Sequence, residues 1–157
     1  MAGPGRRGVS CGELNGNSAG LGLAIAPHDD VRFVATEAKL TTAFVKRGLI
    51  GEHGISWLLP RIVGRGRALD LLLSARVITG TEAADYGLAQ FVGPRADLLE
   101  TTISYAHEMA RNCSPHAMAA LKRQMIEDEH RTPLDALLAA DQATRESFTW
   151  CPSGREW

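Results

Sequence analysis

The chain has 157 residues, 45% of them apolar and 22% charged, with a formal net charge of −1. This is an ordinary globular composition, long enough for one domain that would bury roughly 68–70% of its unfolded surface. Near-neutrality, with no basic stripe interleaved with aromatics, argues against nucleic acid as a partner and gives no pull toward an anionic membrane.

No apolar run approaches the ~20 residues that span a bilayer. The opening "MAGPGRRGVSCGEL" carries two arginines with no apolar region behind them, so no secretory signal is expected. Cys11, Cys113 and Cys151 are odd in number, widely spaced and form no C-x-x-C pair. Neither a metal site nor a disulfide framework is expected, and a reducing cytoplasm fits. The sequon at Asn112 is idle without secretion.

In chain order, the first dozen residues are Gly-rich and basic and read as a loose tail. "NGNSAGLGLAIA" runs from a turn at Asn15-Gly16 into an apolar segment that reads as helical. "DVRFVA", Asp30 to Ala35, reads as a strand. Thr36 to Gly51 is mixed. A helix starts near Gly54, breaks at Gly64-Arg65-Gly66, and resumes with Leu69, Leu72 and Leu73 on one face. "TGTEAADYGLAQFV" predicts a Thr-capped helix, a stop at Gly87 and a strand ending near Val92. Three helical stripes follow: Leu99, Ile103, Ala106 and Ala110; then Met118, Leu121 and Met125; then Leu134, Leu137 and Leu138. Ser114-Pro115 and Thr132-Pro133 each place a capping hydroxyl before a proline at the first helical position.

"AGLGLA" begins like a dinucleotide fingerprint, but Ile25 holds the third glycine position and no clear strand precedes it. Two readings remain open. Small residues at a helix start let a substrate approach the backbone, where free N–H groups could stabilise an oxyanion. Equally, they let the helix start pack tightly on a sheet.

"NGNSAGLGLAIAPHDDVRFVATEAKL" and "FVKRGLIGEHGISWLLPRIVGRGRALDLLLSARVITGTEAADYGLAQFV" together resemble the enoyl-CoA hydratase/isomerase (crotonase) superfamily. The anchors are the N-G…A-G-x-G turn, the G-L-I…W-L-L-P-R-x-V-G run and "ITGTEAADYGL". The resemblance implies an α/β fold: a partial crotonase-like ββα spiral, then a helical C-terminal trimerisation region. It implies tails at 1–13 and 149–157, a partial core at 14–94 and helices at 95–148. Residues 1–13 and 149–157 depart from the family, as if by truncation or a change of reading frame. The family's earlier strands and helices, with the first oxyanion donor, have no counterpart before Asn15.

The resemblance implies an acyl-CoA thioester substrate in fatty-acid degradation, with coenzyme A as part of the substrate and no separate cofactor or metal. It also implies a homo-oligomer, a trimer or hexamer, in the cytoplasm. It assigns the second oxyanion donor to the backbone N–H of Leu21, and it implies that Gly20, Gly22, Ala24, Phe44 and Trp57 line the substrate. Family hydratases use two glutamates; their places here are Ala24 and Phe44, which cannot transfer a proton. Glu52 falls where isomerase-type members carry an acid, and one carboxylate suffices to move a double bond. Its other reading is a helix-start acid, favoured by the helix dipole by ~0.3–1 kcal/mol. His53 maps to no family role. His28, Asp29 and Asp30 read as a metal cluster or as the polar entry to the next strand, and Lys122 and Arg123 as phosphate contacts or a solvated face. The alternative to an enzyme is a non-catalytic remnant, or an interaction subunit that pairs with intact crotonases.

Overall fold

The structure, a computed structural model, describes residues 8–148. The chain divides into two compact units. The expected tail over residues 149–157, with Cys151, lies outside the described residues.

The first unit, Ser10–Tyr105, holds two small sheets and five helices. One sheet runs β1 (Cys11–Leu14), β3 (Val31–Ala35), β6 (Phe91–Gly93), all parallel. The other runs β2 (Ser18–Ala19), β4 (Lys39–Thr41), β5 (Ile78–Thr79). There β2 and β4 are parallel, while β4 and β5 are antiparallel. The helices are α1 (Leu21–Ile25), α2 (Ile55–Val63), α3 (Arg65–Ser74), α4 (Gly80–Asp85) and the start of α5 (Arg95–Asn112).

The loose tail expected over the first dozen residues gives way at Cys11. Residues Cys11–Leu14 form β1, paired from Cys11↔Val31 to Leu14↔Val34. A strand of such weak composition is set by its partner rather than by local preference. That partner, β3, is the "VRFVA" strand, and residues 32–35 are buried on both faces, as in a covered parallel sheet. Phe33 stacks on Phe91 with centroids 4.6 Å apart, and Tyr105 meets Phe33 edge-on at 5.5 Å. Leu23, Leu40, Ile55, Leu59, Ile78, Leu88 and Leu98 complete the core.

Arg32 sits buried in the middle of this core strand. Its Nε donates to the carbonyl of Leu88 and its Nη1 to that of Asp29, while its backbone N–H donates to Gln90 Oε1 at 2.8 Å. Burial pushes the guanidinium below its usual range. Those carbonyls are what make an arginine tolerable there.

The caps form as their sequences indicate. Thr79 accepts from the Glu82 N–H, and the Glu82 carboxylate reaches back to the Thr79 N–H, a capping box that opens α4. Gly87 takes a φ of 78° just after that helix.

The second unit gathers residues 8–9 and 106–148. It contains the end of α5, then α6 (Pro115–Asp128) and α7 (Pro133–Ser147). Ser114 and Thr132 cap the last two through their hydroxyls, with proline at the start of each. Lys122 Nζ donates to the Gly8 carbonyl at 3.1 Å, so it is partnered rather than simply solvated.

The apolar stripes are not core. In α5 the buried residues are Leu98 and Thr102, whereas Leu99 and Ile103 are exposed. No residue of α6 or α7 is buried, and Leu121, Met125, Leu134, Leu137 and Leu138 are exposed. Among the described residues no helix is long and apolar enough to cross a membrane.

Candidate functional site

The glycine loop joins β2 to α1. Strand pairing of Ser18 with Leu40 and of Ala19 with Thr41 fixes its entry, and the Gly20 N–H donates to the Thr41 carbonyl at 3.1 Å. Gly20 then takes φ 55° and ψ −115°, a backbone that a Cβ disfavours. At Gly22 the constraint is contact: a Cβ would stand 2.7 Å from Ser18 Oγ. Both open readings of the loop therefore have substance here, since it packs closely on β2 and also opens a helix.

Leu21 is the first residue of α1, so its N–H has no acceptor within the helix. Its side chain is about half exposed. The inward face of α1 carries Leu23 and Ala24, both buried.

Ala24 and Phe44, at the two glutamate positions of hydratases, are members of the hydrophobic core. A Cβ on Gly20 would lie 3.9 Å from a Phe44 ring carbon, so that ring flanks the glycine loop. The Phe44 carbonyl accepts from Arg47 N–H at 2.9 Å and Leu49 N–H at 3.0 Å, closing the 3-10 turn that leads toward Glu52.

Glu52 does not lie in the first turn of a helix. α2 begins at Ile55, and its first turn holds no acid. The Ile55 N–H donates to the Glu52 carbonyl at 3.1 Å, and the two residues between, His53 and Gly54, have φ of 52° and 74°. Positive φ at both central positions describes a type I′ turn. The Glu52 side chain sits ahead of that turn and is exposed to solvent. Glu52 is therefore not a first-turn acid of α2, and any dipole benefit is smaller than a first-turn position would give.

His28 closes a 3-10 turn, Ala26–His28, that continues directly from α1. Its Nε2 is 3.0 Å from the His53 carbonyl oxygen. A carbonyl only accepts, so Nε2 carries the proton. The part of His53 engaged here is its backbone oxygen.

The possible metal trio is dispersed. His28 turns to His53, the Asp30 carboxylate accepts from Ser10 N–H at 2.7 Å, and the Asp29 side chain lies over Gly12. Among the described residues no three such side chains form a metal-sized group. Trp57 is half exposed, with the Arg61 guanidinium 3.7 Å above its ring.

Gly20, Leu21, Gly22, Ala24 and Phe44 thus gather around one loop. The turn that follows Glu52 is linked to the end of the α1–His28 segment by the bond from His28 to the His53 carbonyl. Two structural groups lie beyond the reach of sequence reasoning. In the sequence His28 stands out only beside Asp29 and Asp30, and nothing in its spacing marks its reach to residue 53. Arg76 bonds Asp70 at 2.7 Å, Glu82 at 2.8 Å and the Tyr86 hydroxyl at 2.7 Å. Its one local signal is an arginine just ahead of a capping box.

Comparison with known proteins agrees with this architecture. A 1,2-epoxyphenylacetyl-CoA isomerase of Escherichia coli is 34% identical over 125 residues, which are 80% of this chain and 47% of that protein. The crystal structure of an enoyl-CoA hydratase from Mycobacterium marinum is 45% identical, with a TM-score of 0.72 over 80% of this chain and 63% of that one. That of a probable enoyl-CoA hydratase/isomerase from Mycobacterium abscessus is 26% identical, with a TM-score of 0.89 over 96% of this chain and 58% of that one. The chain spans about half the length of the first of these relatives. The family profile described as enoyl-CoA hydratase/isomerase matches residues 9–152, and the chain belongs to that family.

Proposed function

We propose that the chain acts on acyl-CoA thioesters and moves a double bond with one carboxylate, in preference to hydration by two. The observation that supports this is the contrast between an exposed Glu52 and the buried, apolar Ala24 and Phe44. A water held between two carboxylates has no counterpart at alanine and phenylalanine.

In this reading the thioester oxygen of a 3-enoyl-CoA lies against the Leu21 N–H. Glu52 takes a proton from C2, and the electron pair left behind delocalises into a dienolate whose charge rests on that oxygen. The N–H stabilises that charge. The protonated Glu52 returns the proton at C4, the carbonyl re-forms, and the double bond ends between C2 and C3. Nothing is oxidised, no water is added, and coenzyme A enters only as part of the substrate. Gly20 and Gly22 add no side chain on either side of Leu21, the half-exposed Trp57 offers apolar surface to the acyl chain, and the buried Phe44 backs the loop from the core.

A second reading is an interaction subunit that pairs with intact crotonases. The exposed apolar faces of α6 and α7 favour it. Titration of an acyl-CoA into the chain, followed by a 3-enoyl-CoA isomerase assay, separates the two. Binding and turnover support the first; neither, together with co-sedimentation with a full-length crotonase, supports the second.

A further inference from the structure

We propose that His28 is a positioning residue for Glu52, coupling the base turn to the helix that bears the oxyanion donor. The inference rests on the reading of Glu52 as the proton carrier and adds a residue to it.

Glu52 precedes a type I′ turn whose first central residue is not glycine or asparagine but His53, at φ 52°. Histidine enters that region more readily than most L-residues, yet its Cβ still crowds the following carbonyl. Such a turn persists when surrounding contacts over-determine it. Two contacts do so here: Ile55 N–H to the Glu52 carbonyl at 3.1 Å, and His28 Nε2–H to the His53 carbonyl at 3.0 Å. The first is local to the turn. The second comes from 25 residues away in sequence.

The origin of that second contact gives it meaning. α1 passes without a break into the 3-10 turn Ala26–His28, and Ala26 and Pro27 are buried. Leu21 N–H stands at one end of this continuous segment and the His28 imidazole at the other. The 3-10 turn also packs against α2. One short continuous piece therefore carries the donor and holds the peptide one residue beyond the base. Proton transfer between carbons needs donor and base held in fixed relation, and a displacement of about 1 Å can cost 10²-fold in rate.

The Nε2–H tautomer of the imidazole donates to the His53 carbonyl. A glutamine amide can place an N–H near the Nε2 position, whereas alanine cannot.

The experiment uses the chain with His28→Ala, His28→Gln and Glu52→Gln. Amide exchange of Ile55 reports the turn without reference to activity. Turnover of a 3-enoyl-CoA reports its consequence. The expected result is faster Ile55 exchange in His28→Ala, a kcat lowered by about 10- to 100-fold with KM nearly unchanged, and recovery of both in His28→Gln. Unchanged Ile55 exchange in His28→Ala overturns the proposal, whatever the activity. So does a kcat equal to wild type in His28→Ala when Glu52→Gln abolishes turnover, an outcome that leaves the base reading standing. Intact turnover in Glu52→Gln removes the base reading itself, and this inference with it.

Discussion

The first residue of α4 lies against the backbone of β3: a Cβ placed on Gly80 would stand 1.9 Å from the Ala35 carbonyl oxygen. That oxygen belongs to a core strand and cannot swing aside. At Gly22 the obstructing atom is the Ser18 hydroxyl, 2.7 Å from where a Cβ would stand, and a hydroxyl can rotate. The two glycines are therefore unequal. Gly80→Ala is expected to cost about 2–3 kcal/mol or to prevent folding, whereas Gly22→Ala should cost under about 1 kcal/mol. Urea unfolding midpoints of the two variants check the order.

Arg76 is bonded to Asp70, Glu82 and Tyr86, and all of these groups are partly exposed. The hydrogen bond from Arg76 is the main cause that holds the Glu82 carboxyl below its usual range, and the Thr79 N–H adds to it. A carboxyl with a depressed folded pKa contributes stability above its unfolded pKa and loses it as pH falls through the folded value. Arg76→Met should therefore lower Tm at neutral pH. The difference from wild type should shrink below the ordinary carboxylate range and also in concentrated salt. Thermal melts across pH and salt check this.

The helix starts are local devices. Thr132 Oγ1 accepts from the Asp135 N–H at 3.2 Å at the start of α7. Thr132→Ala should cost ~1 kcal/mol of stability, while Thr132→Ser should cost much less. Denaturant titration followed by circular dichroism gives the difference directly.

Such local devices are legible in the sequence. Ser114-Pro115, Thr132-Pro133 and the Thr79 cap need only neighbouring residues, and each forms as read. The strand over residues 31–35 is legible for the same reason. What is not legible depends on distant partners. Cys11–Leu14 becomes a strand because β3 lies beside it. The helix read from Gly54 begins at Ile55 with Gly54 as its cap, whereas the positive φ of His53, which sets Glu52 ahead of a turn, leaves no mark in the periodicity. Periodicity marks the stripes of α5 to α7 but does not say whether another surface covers them. At the site, the glycine loop is legible from its small residues, whereas the His28 to His53 bond joins segments with no shared pattern.

Those stripes carry their own prediction. Leu134, Leu137 and Leu138 recur at helical spacing on α7, each more than 60% exposed. Exposed apolar faces of this kind mark association surfaces. The homo-oligomer that the family resemblance implies should sediment above the 16.9 kDa monomer at micromolar concentration. Leu137→Lys should shift it toward the monomer with the helical circular dichroism signal retained. A wild-type chain that sediments as a monomer over the same range would remove this prediction.

Everything proposed for the chemistry depends on Glu52 carrying the proton. The most direct measurement compares the conversion of a 3-enoyl-CoA to its 2-enoyl isomer by the chain and by Glu52→Gln, with matched circular dichroism and matched acyl-CoA affinity. Turnover by the chain is expected, with a fall of at least about 100-fold in Glu52→Gln. Equal turnover by the two proteins would refute the role of Glu52.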